Sequence, residues 1–278
     1  MTSPTQTTQT TLGVDDVNSM NGVTVHDTGP ATGPRTGPTS TVVVLHGGGG
    51  PASIAPVVEH LRHQHRVITP VHPGWEGTAH LAGVDTVPDL AALHLHLLRA
   101  MNLSDVVIVA SSFGGWVAAE MSVLDDAERI VAVVLLDAVG IAPQPGDQPA
   151  PADDAPYRAP SPGQSPEAFA LLQHYTGPTM WDPDLAERLE GVDIPALVVW
   201  GADDPVLTTG YGRRLAACFS QGSFAEIPDA GHLPANENPA ATWPVVDRFM
   251  AALPEHGGDR RRARPADLTD GRRFPSGA

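Results

Sequence analysis

Val106-Val107-Ile108-Val109-Ala110-Ser111-Ser112-Phe113-Gly114-Gly115-Trp116 is the stretch whose reading decides the fold. Its first residues are a β-branched run that reads as a buried parallel strand. Its last residues open a helix at the glycines. Ser112 sits between, with a small residue two before it (Ala110) and another two after it (Gly114). This spacing is the G-x-S-x-G turn, with alanine at the first glycine position. A turn this sharp strains its central residue and leaves no room for large neighbours. It lifts a hydroxyl above the sheet edge and aims a helix N-terminus at the same place. An ordinary small-residue turn after a buried strand has the same local pattern, so the flanking sequence must decide.

Outward from this stretch the chain alternates strands and helices. Thr41–Leu45, Arg66–Pro70 and Ile130–Leu136 are short apolar strands. Ser53 to His63 and Val87 to Met101 read as helices, the second with Leu90, Leu93, Leu97 and Leu98 on one face. Met20 to Thr28 reads as an edge strand. The alternation predicts an α/β fold, a mostly parallel central sheet with helices on both faces. The rhythm breaks after Gly140 in a stretch dense in Pro, Ala and Asp, followed by short helices at Glu167–Tyr175 and Asp184–Glu190. It returns with strands at Ala196–Trp200 and Ser223–Ile227 and helices at Tyr211–Phe219 and Pro239–Ala252. The expected organisation is therefore a core over 20–140 and 193–253, with 141–192 inserted as a cap or lid. Residues 1–19 are expected to be disordered and 254–278 to form a flexible tail.

Composition bounds the function. The 278 residues carry a formal net charge of −16, the opposite of the balance a nucleic-acid binder shows. The basic run Arg260-Arg261-Arg262 with Arg264 reads as a solvated end. Cys218 is the single cysteine, so neither an intrachain disulfide nor a thiolate metal cluster can form. The start of the chain, Met1 to Thr11, is polar and Thr-rich and does not read as a signal peptide. No apolar run is long enough to span a membrane. These features lead to the expectation of a cytoplasmic protein acting on a small molecule, with no nucleic-acid or membrane partner. The oligomeric state is not legible.

Four predicted loops fall at strand C-termini, where open α/β sheets bind ligands. His46-Gly47-Gly48-Gly49-Gly50 brings backbone N–H groups close to an oxygen. The N–H of Gly48 would pair with that of Phe113 to form an oxyanion hole. A phosphate loop would need a following Gly-Lys-Ser/Thr, which is absent. Ser112 is the second element and needs a base to become a nucleophile. Trp200-Gly201-Ala202-Asp203-Asp204 supplies a carboxylate that can orient an imidazole. Asp204 fits best, with Asp203 and Asp137 as alternatives. Ala230-Gly231-His232 supplies the imidazole. His94 and His96, two apart on a helix, face apart and cannot easily share a metal. Trp75 and Trp181 are candidates for an apolar substrate wall. Trp116 reads as core.

The order Ser112, Asp204, His232, each directly after a strand, resembles the α/β-hydrolase superfamily over about residues 20–253, in its serine-nucleophile, capped, esterase-like members. His46-Gly47 resembles the family's HG motif. His72-Pro73-Gly74-Trp75 resembles its next loop, and Gly231-His232-Leu233-Pro234 with Glu237 and Pro239 its GH-x-P-x-x-E-x-P ending. The elbow departs from the pattern only at Ala110. The resemblance implies an α/β-hydrolase fold and a Ser-His-Asp triad acting through an acyl-enzyme, with no metal or organic cofactor needed. An ester is the leading substrate class. Thioesters and carbon–carbon bonds of dienone-type substrates remain open, as does a non-catalytic ligand-binding role. Serine at the elbow argues against the dehalogenases and epoxide hydrolases, which use aspartate there.

Overall fold

The computed structural model describes residues 9–12, 23–31, 33, 41–148 and 165–254. Eight strands form one sheet: β1 (Gln9–Leu12), β2 (Val23–Asp27), β3 (Thr41–Leu45), β4 (Arg66–Pro70), β5 (Val106–Ser111), β6 (Ile130–Leu136), β7 (Pro195–Gly201) and β8 (Gln221–Ile227). Their spatial order is β1-β2-β4-β3-β5-β6-β7-β8. From β4 to β8 every pairing is parallel, and β1 and β2 add an antiparallel edge. The α/β, mostly parallel sheet is the fold read from the sequence.

The central strands are apolar throughout because alternate residues feed two cores. Val43, Leu45, Ile108, Ala110, Val133 and Leu135 face one side. There they meet α2 (Val87–Ala100), α3 (Phe113–Leu124) and α6 (Thr209–Ala217). Val42, Val44, Val107, Val109 and Val134 face the other side. There they meet α1 (Ala55–Leu61), α7 (Pro234–Glu237) and α8 (Pro239–Ala251).

Two differences from the sequence reading stand out. Gln9–Leu12 lies in the stretch expected to be disordered, yet it pairs with β2 in the register Gln9↔His26 to Leu12↔Val23. Threonine is β-branched and accepts a ladder even where apolar content is low. The rest of that segment falls outside the described residues, as do the tail beyond residue 254 and residues 149–164 of the insertion. The second difference is α7, a single turn too short to carry a periodic signal.

The insertion between β6 and β7 contributes α4 (Pro166–Thr176) and α5 (Leu185–Leu189). It is tied to the core by an ion pair whose carboxylate is buried and whose guanidinium is partly exposed. Arg188 on α5 donates two hydrogen bonds of 2.6 Å to Glu120 on α3, whose side chain is fully buried, and a third of 2.6 Å to Asp182. The guanidinium fork matches the carboxylate, and these partners raise the Arg188 pKa above its ordinary value. Arg188→Ala would leave Glu120 charged and unpaired in the interior, so we expect a loss of about 3 kcal/mol in urea unfolding. Arg188→Lys, which cannot bond bidentately, should recover only part of it. Among the described residues no helix is long and apolar enough to cross a membrane.

Candidate active site

The C-terminal ends of β3, β5, β7 and β8 converge on a cleft of about 950 Å³ lined by Gly47, Gly48, Ser112, Leu172, Val206 and His232, among others. A second cleft of about 1050 Å³, lined by Ser122, Asp125, Ile130 and Arg188, lies at the opposite end of the strands and holds none of these groups.

Ser112 occupies the strained turn. Its backbone has φ 52° and ψ −118°, a region that non-glycine residues rarely adopt. The turn closes only because Gly114 and Gly115 lack side chains. A Cβ on Gly114 would lie 2.5 Å from the His46 carbonyl oxygen, and one on Gly115 would lie 2.2 Å from the Ala138 Cβ. Ala110, buried within β5, is small enough to stand at the first elbow position.

The structure brings Ser112, His232 and Asp204 into one line. The Ser112 Oγ lies 2.8 Å from His232 Nε2, and His232 Nδ1 lies 3.0 Å from Asp204 Oδ2. A proton on Nδ1, held by the carboxylate, leaves Nε2 to accept from the serine. Asp204 is buried, and its other oxygen accepts the Val206 N–H at 2.7 Å. Glu237 accepts the N–H groups of Gly231 and Leu233 at 2.7 and 2.9 Å, clamping the loop on both sides of His232.

The two alternative acids are placed differently. Asp203 is exposed on the cleft wall, and the line from His232 runs to Asp204 instead. Asp137, at the end of β6, is fully buried, and its Oδ1 accepts the Gly201 N–H at 2.9 Å. Burial first, and then the adjacent Asp204 carboxylate, push its pKa well above the ordinary carboxylate value. Its Oδ2 has no other partner, so a neutral Asp137 can turn its proton toward Asp204. Asp137→Asn mimics that neutral acid and should keep kcat/KM within about tenfold of wild type. Asp137→Ala would orphan the Gly201 N–H and should cost about 1–3 kcal/mol in chemical unfolding.

Phe113 is the first residue of α3, so its N–H lies outside the intrahelical ladder, at the helix N-terminus beside Ser112. Gly48 lines the cleft from the facing loop. The two tryptophans read as substrate contacts lie elsewhere. Trp75 is buried and donates its indole N–H to the Gly48 carbonyl at 3.1 Å, stacked between Phe113 and Tyr175. It braces the glycine loop from behind because a buried indole N–H must find an acceptor. Trp181 lines a separate small cleft with Met180, Ile141 and Tyr211.

Behind the glycine loop runs a chain of buried histidines that sequence reading did not find. The His72 N–H donates to His46 Nε2 at 3.0 Å, so the His46 proton lies on Nδ1 and bonds the Gly47 carbonyl at 2.8 Å. His72 Nε2 donates to the His46 carbonyl at 3.0 Å, which leaves its Nδ1 to accept from His94 Nε2 at 2.9 Å. Every proton in the chain is assigned if all three rings are neutral.

A family model described as the alpha/beta hydrolase family matches residues 42–245. Over 59 residues the chain is 39% identical to BpoC of Mycobacterium tuberculosis strain H37Rv, provisionally named a non-heme bromoperoxidase. That match spans 21% of this chain and 22% of the relative, so the chain covers about a fifth of the curated relative's length. Among solved structures, a thermophilic esterase from Thermogutta terrifontis superposes with a TM-score of 0.66 at 20% identity, covering 90% of this chain and 99% of that one. The meta-cleavage product hydrolase CumD from Pseudomonas fluorescens IP01 gives 0.62 at 17% identity, covering 82% and 93%. At such identities the likeness concerns the fold.

Proposed function

The chain belongs to the alpha/beta hydrolase family, and from that premise we propose that it is a serine hydrolase cleaving carboxylic esters of small or medium apolar substrates. The observation that carries this reading is the unbroken hydrogen-bonded line from Asp204 through His232 to Ser112 at the floor of the cleft.

In this mechanism the Ser112 Oγ attacks the acyl carbon while His232 Nε2 takes its proton. The carbonyl π electrons move onto oxygen, and the N–H groups of Gly48 and Phe113 hold that oxyanion. As the tetrahedral intermediate collapses, the acyl–oxygen bond breaks and His232 returns the proton to the leaving alcohol. Water, deprotonated by His232, then attacks the acyl carbon; the bond to the Ser112 Oγ breaks, His232 returns the proton to that oxygen, and the acid leaves. Asp204 keeps the imidazole in the required tautomer and stabilises the imidazolium. Leu172, Pro205, Val206 and Leu233 give the cleft its apolar surface, which suits an apolar acyl group. α4 and α5 act as the cap, with Leu172 of α4 as its contribution to the wall. A cytoplasmic setting belongs to this reading, since Cys218 is a free thiol.

The test is labelling by a fluorophosphonate together with turnover of p-nitrophenyl esters of increasing acyl length. Labelling at Ser112 with turnover supports the proposal. A protein that neither labels nor turns over any ester would overturn it in favour of a ligand-binding member of the fold. Esters set against thioesters and dienone-type substrates then separate the bond classes that one triad could serve.

A further inference from the structure

Away from the cleft, the loop between β4 and α2 meets the last turn of α4 at a second cluster. His80 and Asp85 come from the loop and His174 from α4. Each offers one ligand atom, and these atoms all lie within 4.8 Å of one another. His174 Nε2 is 3.3 Å from Asp85 Oδ1, and His80 Nε2 is 3.9 Å from the same oxygen. The two imidazoles meet edge to face, with ring centroids 4.5 Å apart at 86°.

These spacings can be compared with what a cation requires. A tetrahedral ion holding N and O ligands at about 2.0–2.2 Å sets them about 3.3–3.5 Å apart. The His174–Asp85 edge has that length already. The His80–Asp85 edge is longer by about half an ångström, a distance that small side-chain rotations cover. All three side chains are exposed enough to make that adjustment. Two imidazoles with one carboxylate form a donor set for a borderline cation, whereas Mg²⁺ and Ca²⁺ favour oxygen alone.

We propose that His80, Asp85 and His174 form a Zn²⁺ site that staples the insertion helix α4 to the core, with water completing the coordination. The site has two ligands on the core and one on the insertion, so it gains its full set only while α4 is seated. The same end of α4 is already fitted to the core. The Tyr175 hydroxyl donates to the Pro73 carbonyl at 3.0 Å, and Leu171 packs on Gly74, where a Cβ would come within 2.6 Å of it. Leu172, two residues before His174, lines the cleft beside Ser112. Zn²⁺ would therefore hold one wall of the cleft in place. This inference does not depend on Ser112 acting as a nucleophile.

The test uses the full chain, stripped with a chelator and titrated with Zn²⁺ by calorimetry, with Co²⁺ as a spectroscopic probe. Wild type, His80→Ala, Asp85→Asn and His174→Ala are compared with a control, His63→Gln, which removes another exposed histidine beside an acid. We expect one Zn²⁺ per chain. Each of the three site substitutions should weaken binding at least tenfold and abolish the visible Co²⁺ bands, with the control unchanged. Zn²⁺ should also increase amide-exchange protection across α4 in wild type only. Failure to bind stoichiometrically, or binding that survives His174→Ala, would overturn the site. Stoichiometric binding with no gain of protection in α4 would overturn the staple. If no Zn²⁺ binds, a plain Asp85–His174 contact of 3.3 Å describes the cluster.

Discussion

Ser112→Ala is expected to lower kcat/KM for a p-nitrophenyl ester by about 10,000-fold or more, and His232→Ala by a similar factor. Neither change should alter folding much, because both side chains lie on the cleft. The size of the loss follows from the geometry. The serine hydroxyl is a weak nucleophile, and at 2.8 Å the imidazole is its only evident base among the described residues. Removing either partner removes the same step. The double variant should therefore be little worse than either single one, since residues acting as a unit are not additive. Asp204→Asn should fall by about 10,000-fold, because an amide facing Nδ1 favours the wrong imidazole tautomer. Set beside Asp137→Asn, which is expected to stay within about tenfold, this pair separates the two neighbouring acids. A Ser112→Ala variant that keeps a tenth of wild-type activity would end the covalent mechanism. Equal losses at Asp204 and Asp137 would mean that the acid is shared.

The strands were the most legible part of the chain, for a physical reason. Thr41–Leu45, Arg66–Pro70 and Ile130–Leu136 appear with the limits read from sequence, because a strand buried on both faces carries a nearly continuous apolar run that stands out from the turns beside it. The residues of the candidate site were legible because a strand end fixes where a side chain begins. Side-chain direction was not legible. Asp203, Asp204 and Asp137 all follow strands, and only the packed structure separates an exposed carboxylate, one that meets His232, and one buried behind it. Trp75 shows the same limit. Its size suggested a wall for substrate, but its N–H is committed to Gly48. The histidine chain was hidden because His46, His72 and His94 come from three separate segments, and nothing local marks any of them as another's partner.

That histidine chain leads to an acid-lability prediction. Burial depresses all three imidazoles: His46 down to about 4, His94 to about 3, and His72 well below its ordinary 6.5, with repulsion from its histidine neighbours adding to the effect. In the unfolded chain each titrates near 6.5. Below that value the unfolded chain binds protons that the folded chain refuses, so stability is whole above about pH 6.5 and falls as pH drops toward the folded values. The interval from 6.5 to about 4 corresponds to ~3 kcal/mol for His46 alone. Asp137 works in the opposite sense. Its raised pKa means that folding takes up a proton, which favours the folded chain as pH falls. Asp27, held low first by its hydrogen bond to Arg66, titrates below this window. Three histidines against one carboxyl leave a net loss, which we expect to be about 3–5 kcal/mol between pH 7 and pH 4.5 in urea unfolding. His94→Gln should be less stable at pH 7 yet lose less on acidification, whereas Asp137→Asn should lose more. Protonation at His46 Nε2 and His72 Nδ1 also breaks the bonds these atoms accept from the His72 backbone N–H and from His94, behind the glycine loop, so any turnover of p-nitrophenyl esters should decline reversibly before global unfolding. A stability that stays flat to pH 4.5 in wild type and in both variants would mean that the rings are not held neutral, and the proton assignments along the chain would have to be abandoned.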